Sequence, residues 1–212
     1  MKIALIGASG FVGTAILREA SARGHTVTAI VRNPQKVEKL PGVTAVKVDV
    51  GDADALAEAI AGQDVVISAF NGGWGDPDIY NKHLDGSKAI IAAARQAKTR
   101  LITIGGAGSL EASPGKQLVD SPEFPAEWKA GALAARDVLM AVRGEKELDW
   151  SFLSPAIHLA PGEKTGTYRL GGDQPVFDAK GESGISSGDL AAAILDEAEA
   201  PKHSRRRFTL GY

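Results

Sequence analysis

The stretch Lys2-Ile3-Ala4-Leu5-Ile6-Gly7-Ala8-Ser9-Gly10-Phe11-Val12-Gly13 decides the fold. Its apolar beginning is typical of a buried strand, and its three glycines predict a turn that leads into a helix. We expect Gly7 to permit the tight turn, Gly10 to let a ligand approach the backbone, and Gly13 to let the helix pack closely on the strand. The free N–H groups of the helix's first turn would then stabilise negative charge.

Short β-rich runs of the same kind recur along the chain, and helical segments separate them. Several runs are apolar on both faces, which is typical of parallel strands buried in the middle of a sheet. Alternation of strand and helix favours a parallel sheet, because crossovers between parallel strands are almost always right-handed. The predicted strands are Lys2–Ile6, Thr26–Val31, Thr44–Val48, Val65–Phe70, Leu101–Ile104 and Trp150–Leu153.

The helical segments have recognisable ends and apolar stripes. Asn33 and Pro34 predict the start of a helix over Gln35–Leu40, and Asp52 caps a second helix that Gly62 stops. Two longer helices are predicted from stripes that should face the sheet, Tyr80, Leu84, Ser87, Ile91 and Ala94 in one and Trp128, Ala132, Ala135, Leu139 and Val142 in the other.

These elements predict a single α/β domain over residues 1–212, with a doubly wound parallel sheet of the Rossmann type. We expect three layers and the strand order 3-2-1-4-5-6. Small C-terminal additions follow, because Thr165–Phe177 and Arg207–Leu210 predict extra strands near the pocket or the sheet edge. Ser186 and Asp189 fit a capping box at the last helix. Residues 105–125, rich in glycine and proline, predict a loop above the sheet.

Composition and charge exclude several classes of function. The chain carries 24 Lys and Arg against 26 Asp and Glu, so its net charge of −2 gives no general attraction to nucleic acid or to an anionic membrane. It has no cysteine, which excludes disulfides, thiolate metal sites and thiol catalysis. No metal-ligand spacing is visible, and no apolar run approaches the ~20 residues that span a bilayer. We therefore expect a soluble, cytoplasmic protein without a metal.

The glycine turn predicts a nicotinamide dinucleotide, bound by Gly7, Ser9, Gly10, Phe11, Val12 and Gly13. At the end of the second strand, sites for NAD commonly have an acidic residue that accepts from the ribose, but this chain has Arg32. A guanidinium suits the 2′-phosphate of NADP by charge and by bidentate geometry. We therefore expect NADP or NADPH, with NAD as an alternative; the competing interpretation of Arg32 is a solvated arginine beyond the end of the strand.

Further cofactor contacts are expected where the other strands end, because ligands of such sheets lie at the carboxyl ends of the strands. The residues after the third strand should contact the adenine, and those after the fourth should pass beside the ribose and the pyrophosphate. The expected residues are Asn33, Asp49, Val50, Ala69, Phe70, Asn71, Gly105 and Gly106.

Five motifs carry a family resemblance, namely Gly7–Gly13, Val31–Asn33, Asp49-Val50, Leu148–Pro155 and Arg206–Tyr212. Through them nearly the whole chain resembles the atypical short-chain dehydrogenases/reductases. It is most similar to NAD(P)H-binding proteins named NADH-flavin reductases, with biliverdin reductase B and NmrA-like proteins as more distant relatives. Residues 105–111 and 161–166 are the more group-specific parts, whereas the whole superfamily shares the glycine turn. The resemblance implies an NAD(P)H-dependent reductase in which Pro155 contacts the nicotinamide.

The chain lacks the Tyr-x-x-x-Lys pair with which typical members of this superfamily reduce carbonyls. None of Tyr80, Tyr168 and Tyr212 has a lysine four residues on, and the expected helix places Trp128 and Ala132 at the two positions. Hydride transfer to a flavin or a quinone depends less on a local acid, because the acceptor delocalises the added charge. The missing pair therefore favours a conjugated acceptor, with flavin as a substrate and not a resident cofactor, or no turnover at all.

The acceptor pocket is expected beside the nicotinamide, built from residues 71–80, 105–125 and 155–185. A planar flavin could stack on Trp74, although a hydrophobic anchor for the loop is the simpler interpretation. Ser109 lies where superfamily members often carry an active-site serine, and His158 could donate a proton near neutral pH. For both residues, a position without chemistry is the simpler interpretation.

The leading hypothesis is an NAD(P)H-dependent oxidoreductase that passes hydride to a free flavin, quinone or similar small conjugated acceptor. Two alternatives stay open, a non-catalytic NADP sensor of the NmrA-like kind and a carbonyl reductase or epimerase in which a residue such as His158 replaces the missing acid. The basic run His203–Arg207 predicts only a solvated approach to the last strand. Neither the acceptor nor the oligomeric state follows from the sequence.

Overall fold

Twelve strands and five α-helices are present in the computed structural model, which describes residues 1–212. In chain order, the strands are β1 (Lys2–Ile6), β2 (Thr26–Val31), β3 (Val43–Lys47), β4 (Val65–Ser68), β5 (Arg100–Ile104), β6 (Glu111–Ser113), β7 (Lys116–Gln117), β8 (Trp150–Ser154), β9 (His158–Ala160), β10 (Arg169–Gly171), β11 (Gly184–Ser186) and β12 (Arg206–Gly211). The helices are α1 (Phe11–Ala22), α2 (Ala53–Ile60), α3 (Ile79–Gln96), α4 (Ala126–Arg143) and α5 (Ser187–Glu199).

Eight of the strands form the central sheet, in the order β10-β12-β8-β5-β4-β1-β2-β3. Every neighbouring pair is parallel except β10 with β12. One apolar core lies between the sheet and α1 and α5, and a second lies between the opposite face and α2, α3 and α4. The predicted order 3-2-1-4-5-6 is confirmed, with β8 as the sixth strand, and so is the three-layer Rossmann-type domain.

The C-terminal additions extend the sheet beyond β8. Strand β12 lies inside the sheet between β8 and β10, and its Phe208 and Leu210 are fully buried. The edge is formed by the three-residue strand β10, a small part of the predicted segment Thr165–Phe177. The loop over residues 105–125 contains the β6–β7 hairpin and two short 3-10 turns.

Two helix predictions need correction. The predicted helix Gln35–Leu40 is only a 3-10 turn over Pro34–Lys36, although Asn33 Oδ1 accepts a hydrogen bond from the Gln35 N–H as a cap should. Val37 already has extended backbone and buries its side chain in the core beside α1, which ends the turn. The caps of α2 and α5 are confirmed, since the Asp52 and Ser186 side chains accept from the expected N–H groups.

Trp128 does not face the sheet, contrary to the predicted stripe. It is 56% exposed, whereas Ala132, Ala135, Leu139 and Val142 are buried as predicted. Helix α4 begins beyond the carboxyl ends of the strands, and the residues of its first turn are all exposed. The predicted stripe therefore has the correct spacing, but its first residue, at the N-terminal end of α4, lies outside the core. None of the helices combines the length and the apolar character that crossing a membrane requires.

Candidate functional site

The glycine turn between β1 and α1 shows why two of its glycines cannot carry a side chain. Gly7 has φ +79°, and a β carbon there would lie 2.5 Å from the carbonyl oxygen of Ala69. A β carbon at Gly13 would lie 2.0 Å from the Gly7 carbonyl oxygen. Gly10 differs, because it has ordinary extended backbone and a β carbon would meet only that oxygen, at 3.3 Å. Packing thus accounts for Gly7 and Gly13, whereas Gly10 leaves open surface above the turn.

The N-terminus of α1 faces this open surface without a cap. No side chain accepts from its first N–H groups, and its first turn contains no acidic residue. The N–H groups of Phe11, Val12 and Gly13 have no partner in the helix, because its first hydrogen bond runs from the Thr14 N–H to the Gly10 carbonyl oxygen. Ser9 and Phe11 are exposed beside them. Uncapped N–H groups and the helix dipole together suit a phosphate or pyrophosphate.

The difference between Gly10 and Gly13 can be tested with one substitution made at both positions. Gly10→Ala should change the free energy of unfolding by less than about 1 kcal/mol, because its β carbon makes one close contact, 3.3 Å from the Gly7 carbonyl oxygen, and should weaken dinucleotide binding about tenfold by keeping phosphate from the backbone. Gly13→Ala should cost about 1–3 kcal/mol of stability through the clash with Gly7. Denaturant unfolding and NADPH titration measure the two effects. Equal loss of stability in both variants would contradict this view of the turn.

The next strand ends place the remaining expected cofactor residues around the same edge of the sheet. Arg32 follows β2, is exposed and makes no hydrogen bond or ion pair with the protein. Asn33 uses its carbonyl oxygen for the turn at Gln35, which leaves its amide N–H groups free to donate. After β3, exposed Asp49 accepts from the Gly51 N–H at 2.9 Å, and Val50 packs against the core.

Residues after β4 are more constrained than the sequence indicates. Ala69 lies against Gly7, and Asn71 accepts from the Gly73 N–H at 2.8 Å. The Phe70 ring covers Gly86 of α3, where a β carbon would lie 2.5 Å from it. The same ring stacks on the imidazole of His83, with 5.9 Å between centroids and 9° between planes. Phe70 is therefore held by α3, and its backbone is the part that passes beside the glycine turn.

His83 is a buried titratable residue beside the site that the sequence analysis missed. Only 6% of the residue is exposed, and its Nδ1 atom is buried without a hydrogen-bond partner. Burial lowers the pKa of His83 from its ordinary value of 6.5 to about 4, so the imidazole is neutral near pH 7. A signal existed in the sequence, because His83 lies four residues before Ser87 on the buried stripe of α3.

The lowered pKa of His83 predicts a loss of stability in acid. The unfolded chain takes up a proton near pH 6.5 but the folded chain only near pH 4, so stability is complete above pH 6.5 and falls as the pH drops through this window. The expected loss from this group is about 2 kcal/mol between pH 7 and pH 5. His83→Phe should remove that part of the slope in denaturant unfolding. An unchanged slope would show that other groups cause it.

The fifth and sixth strands of the predicted order complete the edge. Gly105 follows β5 and lies on the Phe152 ring. A β carbon built at Gly105 would lie 2.1 Å from the nearest carbons of that ring. Gly106 has room for a β carbon 3.5 Å from that of Ala135 in α4. Pro155 is buried directly after β8. Parallel strands end at the same edge, so the glycine turn, Arg32, Gly105, Gly106 and Pro155 lie along the edge where ligands of such sheets bind, which is the cleft expected from the sequence.

Ser109 lies below this cleft, in a buried polar cluster. It is 1% exposed, its Oγ donates to the Gly106 carbonyl oxygen at 3.2 Å, and it lies 3.4 Å from the Oγ of Ser154. Arg207 Nη1 donates to the Ser109 carbonyl oxygen at 2.6 Å, and its Nε donates to Asp173 at 2.8 Å. Ser109 and Arg207 thus tie the turn after β5 to β12 and to the loop that follows β10.

The predicted solvated state of the basic run His203–Arg207 is wrong for two of its residues. The Arg207 side chain is only 2% exposed, because β12 lies inside the sheet. His203 stacks on Phe208 with 4.2 Å between ring centroids, and its Nδ1 lies 2.7 Å from a carboxylate oxygen of Glu197. His158 is exposed on β9 and its side chain makes no hydrogen bond, so no partner orients its imidazole.

Residues 7–201 match the family described as NAD(P)H-binding. The matched range includes the glycine turn and the residues that follow β2, β3, β4, β5 and β8. The chain belongs to this NAD(P)H-binding family. The YwnB protein of Bacillus subtilis, whose function is uncharacterised, is 42% identical over 214 residues, covering 99% of this chain and 98% of YwnB. The match to a family of known ligand agrees with the uncapped turn at Gly10.

Two solved structures show how similar members of the NAD(P)H-binding family are to this chain. A Bacteroides thetaiotaomicron protein provisionally named an epimerase is 45% identical, with a TM-score of 0.92 over 100% of this chain and 96% of its own. A Streptococcus pneumoniae protein provisionally named an NADH-flavin reductase is 38% identical, with a TM-score of 0.88 over 100% and 99%. The family and these structures support the atypical short-chain dehydrogenase/reductase group and a nicotinamide cofactor, and the two names differ in chemistry.

Proposed function

We propose that the protein is an NADPH-dependent reductase that passes hydride to a freely exchanging conjugated acceptor, a flavin or a quinone. The observation that carries this proposal is that neither of the two candidate acids, Ser109 and His158, is both exposed and oriented as a proton donor. Ser109 is buried and already bonded, nothing orients His158, and Trp128 and Ala132 occupy the Tyr and Lys positions on α4. Carbonyl reduction needs such a donor, whereas a flavin or a quinone can take its proton from water.

The chain's own residues bind and orient the two reactants. The N–H groups at the start of α1 would hold the pyrophosphate, Arg32 would hold the 2′-phosphate, and Gly105, Gly106 and Pro155 would contact the nicotinamide. NADPH supplies the hydride when it is bound. Holding two reactants in near-attack geometry supplies roughly 7–11 kcal/mol of barrier reduction, which permits turnover without a resident acid.

Steady-state assays of the purified protein test the proposal. NADPH should be oxidised in the presence of riboflavin, FMN or a small quinone under anaerobic conditions, and simple aldehydes and ketones should give no rate above background. Acceptor-dependent oxidation of NADPH would support the proposal. Turnover of carbonyls that His158→Ala abolishes would replace it with the substitute-acid alternative, and NADPH binding without any turnover would favour the sensor.

A further inference from the structure

The rim of the cleft includes an exposed tryptophan on α4, Trp128. The residues that follow it on the same helix face pack against the turn after β5, since Ala132 lies 3.0 Å from a β carbon built at Gly108 and Ala135 lies 3.5 Å from one built at Gly106. Trp128 is four residues before Ala132, so it lies on the same face one turn further from the sheet. Trp128 is 56% exposed there.

A second tryptophan, Trp74, lies against the same part of α4. A β carbon at Gly131 would lie 2.7 Å from its Cζ3 atom and 3.0 Å from its Cη2 atom, so the ring packs on the bare helix backbone. Gly73 and Gly75 on either side have φ +111° and +85°, which other residues rarely adopt. Gly131 is three residues after Trp128 on α4. The helix position that Trp74 covers and the position that carries Trp128 are therefore neighbours on the helix surface.

The exposure of Trp74 does not fit a simple loop anchor. An anchor buries its ring, but Trp74 is 64% exposed, and neither indole stacks on another ring of the protein. Gly131 instead leaves room for the Cζ3 and Cη2 atoms of this indole, while most of the residue stays exposed. Flat aromatic surface beside a hydride site suits a planar conjugated ring.

The surroundings of the two tryptophans offer little to hold a phosphate. Arg136 is the nearest arginine along α4, and its guanidinium contacts Asp120 and Asp137. Lys82 is paired with Asp76 at 2.6 Å. The remaining charged side chains of residues 71–80 and 116–130 are Lys116 and Lys129 against Asp78, Glu123 and Glu127. This part of the rim therefore has no excess of free positive charge.

The geometry points to Trp74 and Trp128 as one wall of the acceptor pocket, a wall that binds the planar ring of the acceptor and not a phosphorylated tail. This inference rests on the proposed function and deepens it. Riboflavin and FMN carry the same ring and differ by one phosphate, so they form a matched pair of probes. The catalytic efficiency with riboflavin should equal or exceed that with FMN, and a small quinone should use the same wall.

Substitutions at the two indoles test the wall by kinetics. Trp74→Ala and Trp128→Ala should each raise the KM for riboflavin and for the quinone about tenfold while the Kd for NADPH stays unchanged, and Trp74→Phe and Trp128→Phe should keep most of the affinity. Met140→Ala, at an exposed position further along α4, is the control and should change neither value. Unchanged KM in both alanine variants, or a tenfold preference for FMN over riboflavin, would overturn the inference.

Fluorescence separates failure of the wall from failure of the proposed function. The chain has three tryptophans, and Trp150 is buried. Riboflavin added without NADPH should quench the wild-type emission, and the quenching should fall in Trp74→Phe and in Trp128→Phe. If the wild type reduces no acceptor, the proposed function fails, while saturable quenching that depends on both indoles still supports the wall. Absence of quenching that depends on Trp74 or Trp128 would overturn it.

Discussion

Replacing Arg207 with methionine should lower the free energy of unfolding by about 3 kcal/mol, because removal of the buried guanidinium leaves the acceptors it bonds without a donor. Arg207 donates to the Ser109 carbonyl oxygen at 2.6 Å and to Asp173 through Nε and Nη2. The Ser109 carbonyl would remain buried and unpaired. Asp173 is 55% exposed and also contacts Arg143, so water and that arginine would offset part of the loss.

Arg206 provides a matched control for this substitution. It is the preceding residue of β12, but it is exposed and its side chain has no partner. Arg206→Met should therefore change the free energy of unfolding by less than about 0.5 kcal/mol. Urea unfolding followed by circular dichroism compares the two variants. If both lost the same stability, the buried cluster around Ser109 would not contribute as described.

Arg32→Ala should weaken the binding of NADPH by about 10- to 100-fold and leave the binding of NADH within about twofold. Hydrogen bonds between a guanidinium and a phosphate are charge-assisted and bidentate, and only NADPH carries the 2′-phosphate. Arg32 is exposed, so its contribution should shrink as the salt concentration rises.

Calorimetric or fluorescence titrations with both cofactors measure this preference. Arg95→Ala is the control for net charge, because it also removes one positive charge. Arg95 lies in the last turn of α3, where it pairs with Glu145. This control should bind both cofactors as the wild type does. An equal loss of NADPH and NADH affinity in Arg32→Ala would contradict the assignment of the 2′-phosphate to Arg32.

The parts of the fold that sequence predicted are those set by local chemistry. The turn at Gly7, the caps at Asp52 and Ser186 and the alternation of strand and helix depend on neighbouring residues, and they were sufficient for the strand order. The prediction of a helix over Gln35–Leu40 was wrong, because burial of Val37 in the core outweighs helix propensity in so short a segment.

The parts that sequence could not predict depend on distant elements. Arg207 is in a basic run typical of a surface, and only the placement of β12 between β8 and β10 buries it. Trp128 has the spacing of a buried position, but it lies in the first turn of α4, beyond the carboxyl ends of the strands, where the helix is exposed. Which residues follow the strands at their carboxyl ends could be inferred from the sequence. Their partners, such as Phe70 on His83, could not.

Direct hydride transfer from bound NADPH to a conjugated acceptor is tested most directly by the rate of acceptor reduction with NADPH deuterated on one or the other face of the nicotinamide C4. A cofactor held by the glycine turn, Gly105 and Pro155 presents one face, so one of the two labelled cofactors should react more slowly than unlabelled NADPH and the other should not. Equal rates for both labelled forms, or no acceptor reduction with bound NADPH, would contradict the claim.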